Sequence, residues 1–136
     1  MLLFVIDTAS ETVNSNKRGK SMKAAELIVE EQVTEKGTVL VVRGELDLTT
    51  VSMLREPLLS QVSGTTKNVI VDVRFVDFID SAGLALLVEA RKRLVADSRL
   101  LYIVLTRGQQ PERVLHLVRF DTIMKLIYSV DDIQEQ

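Results

Sequence analysis

A chain of 136 residues holds one domain with a core and is too short for two ordinary ones. With 46% hydrophobic and 26% charged residues it has the make-up of a soluble globular protein, and no apolar run approaches the ~20 residues that a bilayer span needs. The absence of cysteine removes disulfides and thiolate chemistry, and 17 basic residues scattered among 19 acidic ones, for a net charge of -2, give no concentrated positive footprint for direct nucleic-acid binding.

The start, "MLLFVIDTASETVNSNKRGK", places its apolar residues before its charges, unlike a signal peptide, so a cytoplasmic location without membrane contact is expected. "LLFVI" at 2–6 reads as a short strand or an apolar end that offers an edge for self-association, and the polar, glycine-marked stretch after it reads as linker. Residues 1–21 are therefore expected to be an appendage, flexible or adding a strand, to a domain of residues 22–136. That domain opens with "AAELIVEEQVTEKGTVLVVRGELD", two strands joined by a turn at Lys36-Gly37. "DLTTVSMLREPLLSQV" then offers Thr49 or Thr50 as a cap and Val51, Leu54, Leu58 and Val62 at spacings of three and four, an apolar stripe along a helix. Pro57 falls inside it, so the helix is expected to start late or to bend there.

"NVIVDVRFV" at 68–76 is rich in β-branched residues and reads as a strand. The helix after it is expected to bury Leu84, Leu87, Val88 and Leu94 and to leave Glu89, Lys92 and Arg93 in water. "RLLYIVL" at 99–105 has almost no alternation, as in a strand covered on both faces. "QQPERVLHLVRF" brings Pro111 near the first turn of a helix, with Val114, Leu115, Leu117 and Val118 as its apolar content. "TIMKLIY" reads as a last short strand or turn, and Ser129 to Gln136 as a frayed acidic helix. The alternation of strands and helices defines an α/β domain, a mostly parallel or mixed sheet flanked by helices.

"DFIDSAGLALLVEARKRL" at 77–94 changes from strand to helix at Asp80-Ser81-Ala82-Gly83. As local structure, Ser81 or Asp80 can cap the helix, worth about 1 kcal/mol, and Gly83 permits a close backbone approach. The same position supports a functional reading. A hydroxyl between a strand's end and a helix's start is where a phosphate would meet free N–H groups, and it would add roughly -1.5 to -2 charges beside Asp80. "RGELDLTT" at 43–50 sets Gly44 and Asp47 at another strand-to-helix connection, and parallel strands would gather Asp47, Asp80 and Ser81 into one surface patch.

Catalysis is not expected. The serine lacks the first glycine of G-x-S-x-G, and His116 is a lone imidazole on an amphipathic helix. Asp72, Asp77 and Asp80 have no histidines at metal-ligand spacing, and neither GxxxxGK[ST] nor GxGxxG occurs. No cofactor or metal is expected, and any ATP would be held by a partner.

"GELD" at 44–47 followed by "VDVRFVDFIDSAGLALL" at 71–87 resembles the bacterial anti-sigma factor antagonists (anti-anti-sigma factors) of the STAS domain family, and the resemblance runs from about Met22 to Ile133. It implies a STAS-like single domain, a mixed β-sheet flanked by helices, acting without catalysis as a serine-phosphorylation-controlled protein-binding switch. In that family the serine after the aspartate of D-S-[ST]-G is phosphorylated by a serine kinase that is itself the anti-sigma factor, and a PP2C-type phosphatase reverses the step. By resemblance Ser81 is the phosphoacceptor, and Asp47, Asp80, Ser81 and Gly83 belong to the partner-binding surface. The unphosphorylated chain would bind the kinase and so release the sigma factor. Two positions depart from the pattern: Ala82 stands at the second hydroxyl position, and "FDTIMKL" at 120–126 replaces DxxGL. The alternative is a non-catalytic STAS scaffold or ligand-sensing module in another signalling complex.

Overall fold

The computed structural model describes residues 3–7, by their backbone, together with residues 26–64 and 67–133. Strands β1 (Leu3–Asp7), β2 (Leu27–Thr34), β3 (Gly37–Leu46), β4 (Asn68–Ile79), β5 (Leu100–Val104) and β6 (Lys125–Ile127) lie in sequence order in one six-stranded sheet. The pairs β1–β2 and β2–β3 are antiparallel, and β3–β4, β4–β5 and β5–β6 are parallel. Each parallel connection contains a helix, because a parallel pair needs a crossover: α1 (Val51–Val62), α2 (Ser81–Ala96) and α3 (Gln110–Leu117). Most of residues 1–21, the segment expected to be an appendage, lies outside the described residues; Leu3–Asp7 is β1, at the sheet edge beside β2.

Side chains that alternate along the strands divide between two cores. Leu40, Val42, Val69, Val71, Val73, Leu101 and Ile103 face the helices and meet Leu54, Leu58, Leu87, Leu94 and Leu115. Val39, Val41, Ile70, Tyr102 and Val104 face the other way and pack with Ile133 and Val130. Burial on both faces explains why residues 99–105 show no polar alternation. The fold is α/β, a mixed sheet with helices, as the sequence indicates. Among the described residues no helix is long and apolar enough to cross a membrane.

Some local expectations change. Neither Thr49 nor Thr50 caps α1 through its side chain; Asp47 organises that turn instead, as described below. Pro57 sits buried within α1, whose far end is held by Arg99: its guanidinium donates to the carbonyls of Val62 at 2.7 Å and Gln61 at 2.9 Å in the last turn, where Gln61 also accepts the Gly64 amide at 3.0 Å. Of the apolar content assigned to α3, Leu115 is buried and Leu117 is 80% exposed, because residues two apart on a helix point to nearly opposite faces and only one faces the sheet. Ser129 begins a short 3-10 turn, Val130–Asp132, in place of a longer helix, and residues 134–136 lie outside the described ones.

Strand β4 runs three residues past the end expected for it, to Ile79. Two register shifts against β3, between Val41 and Arg43 and between Gly44 and Glu45, let the longer β4 finish level with β3, so that Leu46 pairs with Ile79. Gly44 makes the second shift feasible: its φ of +118° is a region side chains avoid, and a Cβ there would lie 2.5 Å from the carbonyl oxygen of Glu26.

Candidate functional site

Because β3 and β4 are parallel and end at the same level, the residues that follow them, Asp47 and Asp80, open adjacent loops. The amide of Asp80 still donates to the carbonyl of Leu46 at 3.2 Å, the last rung between the two strands. Beyond it the Asp80 carboxylate takes over. Oδ1 accepts from the amides of Ala82 at 2.9 Å and Gly83 at 3.3 Å, capping α2, while Oδ2 accepts from the amide of Leu48 at 3.1 Å. Of the two capping candidates in the sequence, Asp80 fills the role.

That assignment leaves Ser81 unused as a structural group. It is the first residue of α2, it is exposed, and among the described residues its hydroxyl has no hydrogen-bond partner. Ala82 follows half-buried, and Gly83 is buried beneath the loop. A Cβ on Gly83 would come within 2.8 Å of both Ile79 Cγ1 and Leu46 Cγ, so the missing side chain lets the first turn of α2 rest on the two strand ends.

Asp47 forms the opposite loop. Its Oδ1 accepts from the Thr49 amide at 3.0 Å, the Thr49 hydroxyl at 2.8 Å and the Thr50 amide at 3.2 Å. The Thr49 hydroxyl bond is the main reason its carboxyl titrates below the ordinary range, with the two backbone amides adding to the effect against some desolvation. The Thr50 hydroxyl donates to the carbonyl of Glu45 at 2.6 Å and accepts from the amide of Asp47 at 3.0 Å, closing the turn from inside. Leu48 is pushed outward at its tip and is 75% exposed.

The structure thus brings Asp47, Asp80 and Ser81 together at the carboxyl ends of two parallel strands and puts Gly83 under them. Leu48 was not singled out in the sequence, where it is one leucine in a polar stretch; only its exposure beside Asp80 distinguishes it. Further along the same edge Gln109 and Gln110 reach β4. His116 is on the exposed side of α3, its Nε2 3.3 Å from the Tyr128 hydroxyl, which donates to Glu112 at 2.7 Å.

Chains built on these elements are already known. The STAS domain model matches residues 27–133, and the chain belongs to the STAS domain family. It is 28% identical over 94 residues to the anti-sigma-F factor antagonist RsfB of Mycobacterium tuberculosis, covering 69% of this chain and 75% of that protein. Among solved structures it resembles an anti-sigma factor antagonist from Mycobacterium paratuberculosis, with a TM-score of 0.72 and 24% identity over 79% of this chain and 90% of the other. It also resembles the Bacillus cell fate determinant SpoIIAA in its phosphorylated form, with a TM-score of 0.57 and 21% identity over 77% of this chain and 96% of that one.

Proposed function

We propose that this chain is an anti-sigma factor antagonist controlled by phosphorylation of Ser81, with Asp47, Leu48, Asp80 and Ser81 as its surface for an anti-sigma factor serine kinase. The observation that carries the reading is the Ser81 hydroxyl, exposed and without a hydrogen-bond partner among the described residues, while the carboxylate beside it does the capping. Similarity to a protein named as an anti-sigma-F factor antagonist, and to one whose phosphorylated form is known, supports it.

Ser81 is a substrate residue here. Its Oγ attacks the γ-phosphorus of an ATP held by the kinase; the Oγ–P bond forms, the bond from that phosphorus to the β-phosphate bridging oxygen breaks, and ADP leaves. The hydroxyl proton passes to a base of the kinase or to solvent. The chain contributes access, orientation and the acidic surroundings, and no catalytic group of its own. Gly83 contributes by seating the loop low enough for Ser81 to stand clear.

The phosphate would arrive next to a carboxylate that already occupies the Ala82 and Gly83 amides. A phosphate at a helix start is normally welcomed by such amides, so here it gains little compensation unless it displaces Asp80, and two anionic groups share one small surface. At an interface both must be desolvated, which opposes binding. The unmodified chain binds the kinase and frees the sigma factor; the modified chain lets go, and a PP2C-type phosphatase resets it. With these partners the protein would act in the cytoplasm.

The direct test is incubation of the full chain with the ATP-binding kinase encoded nearest its gene and ATP, followed by site-resolved mass spectrometry. One phosphate on Ser81, absent from Ser81→Ala, is expected. Phosphate only at other residues, or none, would overturn the switch and favour a non-catalytic STAS scaffold or ligand-sensing module.

A further inference from the structure

Strand β5 ends at Val104, opposite Asp72, so the last seven residues of β4, Val73 to Ile79, have no strand beside them on that side. Backbone groups left open there would have to find other partners. Two glutamines at the start of α3 supply them. Gln109 Nε2 donates to the carbonyls of Val73 and Val76, each at 3.1 Å, while its Oε1 accepts from the amide of Thr106 at 2.6 Å. Gln110 makes the more specific contact: its Oε1 accepts from the amide of Ile79 at 2.9 Å and its Nε2 donates to the Ile79 carbonyl at 3.0 Å. A carboxamide carries the donor and acceptor of a peptide group, so this side chain imitates a neighbouring strand for one residue.

That residue is the last before Asp80 and Ser81. On its other side the chain is held by β3, through the Leu46 pairing and the bond from the Asp80 amide to Leu46. Ile79 is therefore held along both edges of β4 within the sheet, and the direction in which the backbone leaves it sets where Asp80 meets the α2 amides and where Ser81 projects. Neither of the other two supports of the loop, the Asp80 cap and the packing under Gly83, fixes the backbone of Ile79 itself.

We infer that Gln110 is a positioning residue for the Ser81 loop, through which the placement of α3 controls presentation of the hydroxyl. Its structural part stands without the phosphorylation reading; its kinetic consequence rests on that reading. Gln110→Ala removes both bonds. Gln110→Glu keeps the acceptor for the Ile79 amide but turns an anionic oxygen to the Ile79 carbonyl, until low pH protonates it and restores a donor. Glu112→Gln, on the same helix but bonded to Tyr128 and the Gly108 amide, is the control for general loosening of α3.

The test is amide hydrogen exchange in the full chain, read residue by residue by NMR. Gln110→Ala is expected to lower protection at Ile79, Ala82 and Gly83 by about tenfold while Val69 and Val71 in the core of β4 keep theirs. Gln110→Glu should recover that protection as the solution is made acidic enough to neutralise its carboxyl, and Glu112→Gln should leave the three amides unchanged. Unaltered exchange at Ala82 and Gly83 in Gln110→Ala, equal loss throughout β4, or the same effect from Glu112→Gln would each overturn the inference. With the kinase, Gln110→Ala should lower kcat for Ser81 about tenfold and leave KM within about twofold, whereas an unchanged kcat counts against positioning. If the wild-type chain is not phosphorylated at Ser81 the proposed function fails, and the exchange data alone decide the role of Gln110.

Discussion

Asp80 Oδ2 accepts the backbone N–H of Leu48 at 3.1 Å, across 32 residues of sequence, and this bond ties the loop after β3 to the start of α2. One carboxylate thereby caps a helix and fixes the tip of a neighbouring turn, so the surface around Ser81 is a single piece rather than two loops that happen to be close.

Removal of that joint should be measurable as stability. Asp80→Ala is expected to cost about 1–2 kcal/mol, the range for losing a helix cap together with its tie to another loop. Asp80→Asn can keep an oxygen on Ala82 and Gly83 but would turn an amide N–H toward that of Leu48, so a smaller loss is expected. Urea unfolding of both variants checks the order; equal stability of Asp80→Ala and wild type would contradict it.

The Asp47 turn should show in the pH dependence. The folded chain holds the Asp47 carboxyl below its ordinary value of 3.8, first through the Thr49 hydroxyl bond, so the folded state favours its ionised form. A depressed pKa contributes stability that is fully present above the unfolded value and is lost as pH falls through the folded one. The stability difference between wild type and Asp47→Asn is thus expected to be larger at about pH 7 than at about pH 3. Denaturant titrations at the two conditions test this, and a difference that grows toward acid would contradict the sign.

Leu48 gives a prediction that separates binding from folding. With 75% of its surface exposed it adds little to the core, so Leu48→Ala should change stability by no more than about 0.5 kcal/mol. Burying a leucine at an interface is worth roughly 1.5–3 kcal/mol, so the same variant should bind the kinase at least about tenfold more weakly. Isothermal titration beside thermal unfolding distinguishes the two effects; unchanged affinity would remove Leu48 from the surface.

A chain that begins at Met22 is expected to fold and to unfold cooperatively, since among the described residues α1, α2, α3 and both buried clusters are assembled from Leu27 onward. Without β1 the edge of β2 is open, so lower stability and concentration-dependent association are expected. Circular dichroism and sedimentation measure these outcomes, and loss of a cooperative transition would mean that the first 21 residues belong to the domain.

The order of elements was legible because each has its own period: β-branched runs for β3, β4 and β5, and three-and-four spacing for α1 and α2. The meeting of Asp47 with Ser81 was also legible, since two parallel strands joined by one helix must end on the same edge. The capping was legible only as a choice among residues. Thr49 or Thr50 reads as the cap of α1 and Asp80 or Ser81 as that of α2; the backbone geometry selects Asp80 for α2, while before α1 the Thr49 and Thr50 amides turn to Asp47 and neither threonine caps through its side chain. Gln109 and Gln110 were missed because their role depends on β5 stopping seven residues short of β4, a tertiary fact with no local signature; two polar residues before Pro111 look like an ordinary helix start. The length of β4 was underestimated for the same reason, since Asp77 suggests a loop until a partner is found for Ile79.

The central claim concerns what a phosphate on Ser81 does to the complex. Its most direct test is a titration of the anti-sigma factor kinase with the full chain, unmodified and stoichiometrically phosphorylated at Ser81, at one ionic strength and with ADP present throughout. The unmodified chain should bind, and the phosphorylated chain should bind at least about a hundredfold more weakly, a difference of about 2.8 kcal/mol. Equal affinity of the two forms would contradict the switch.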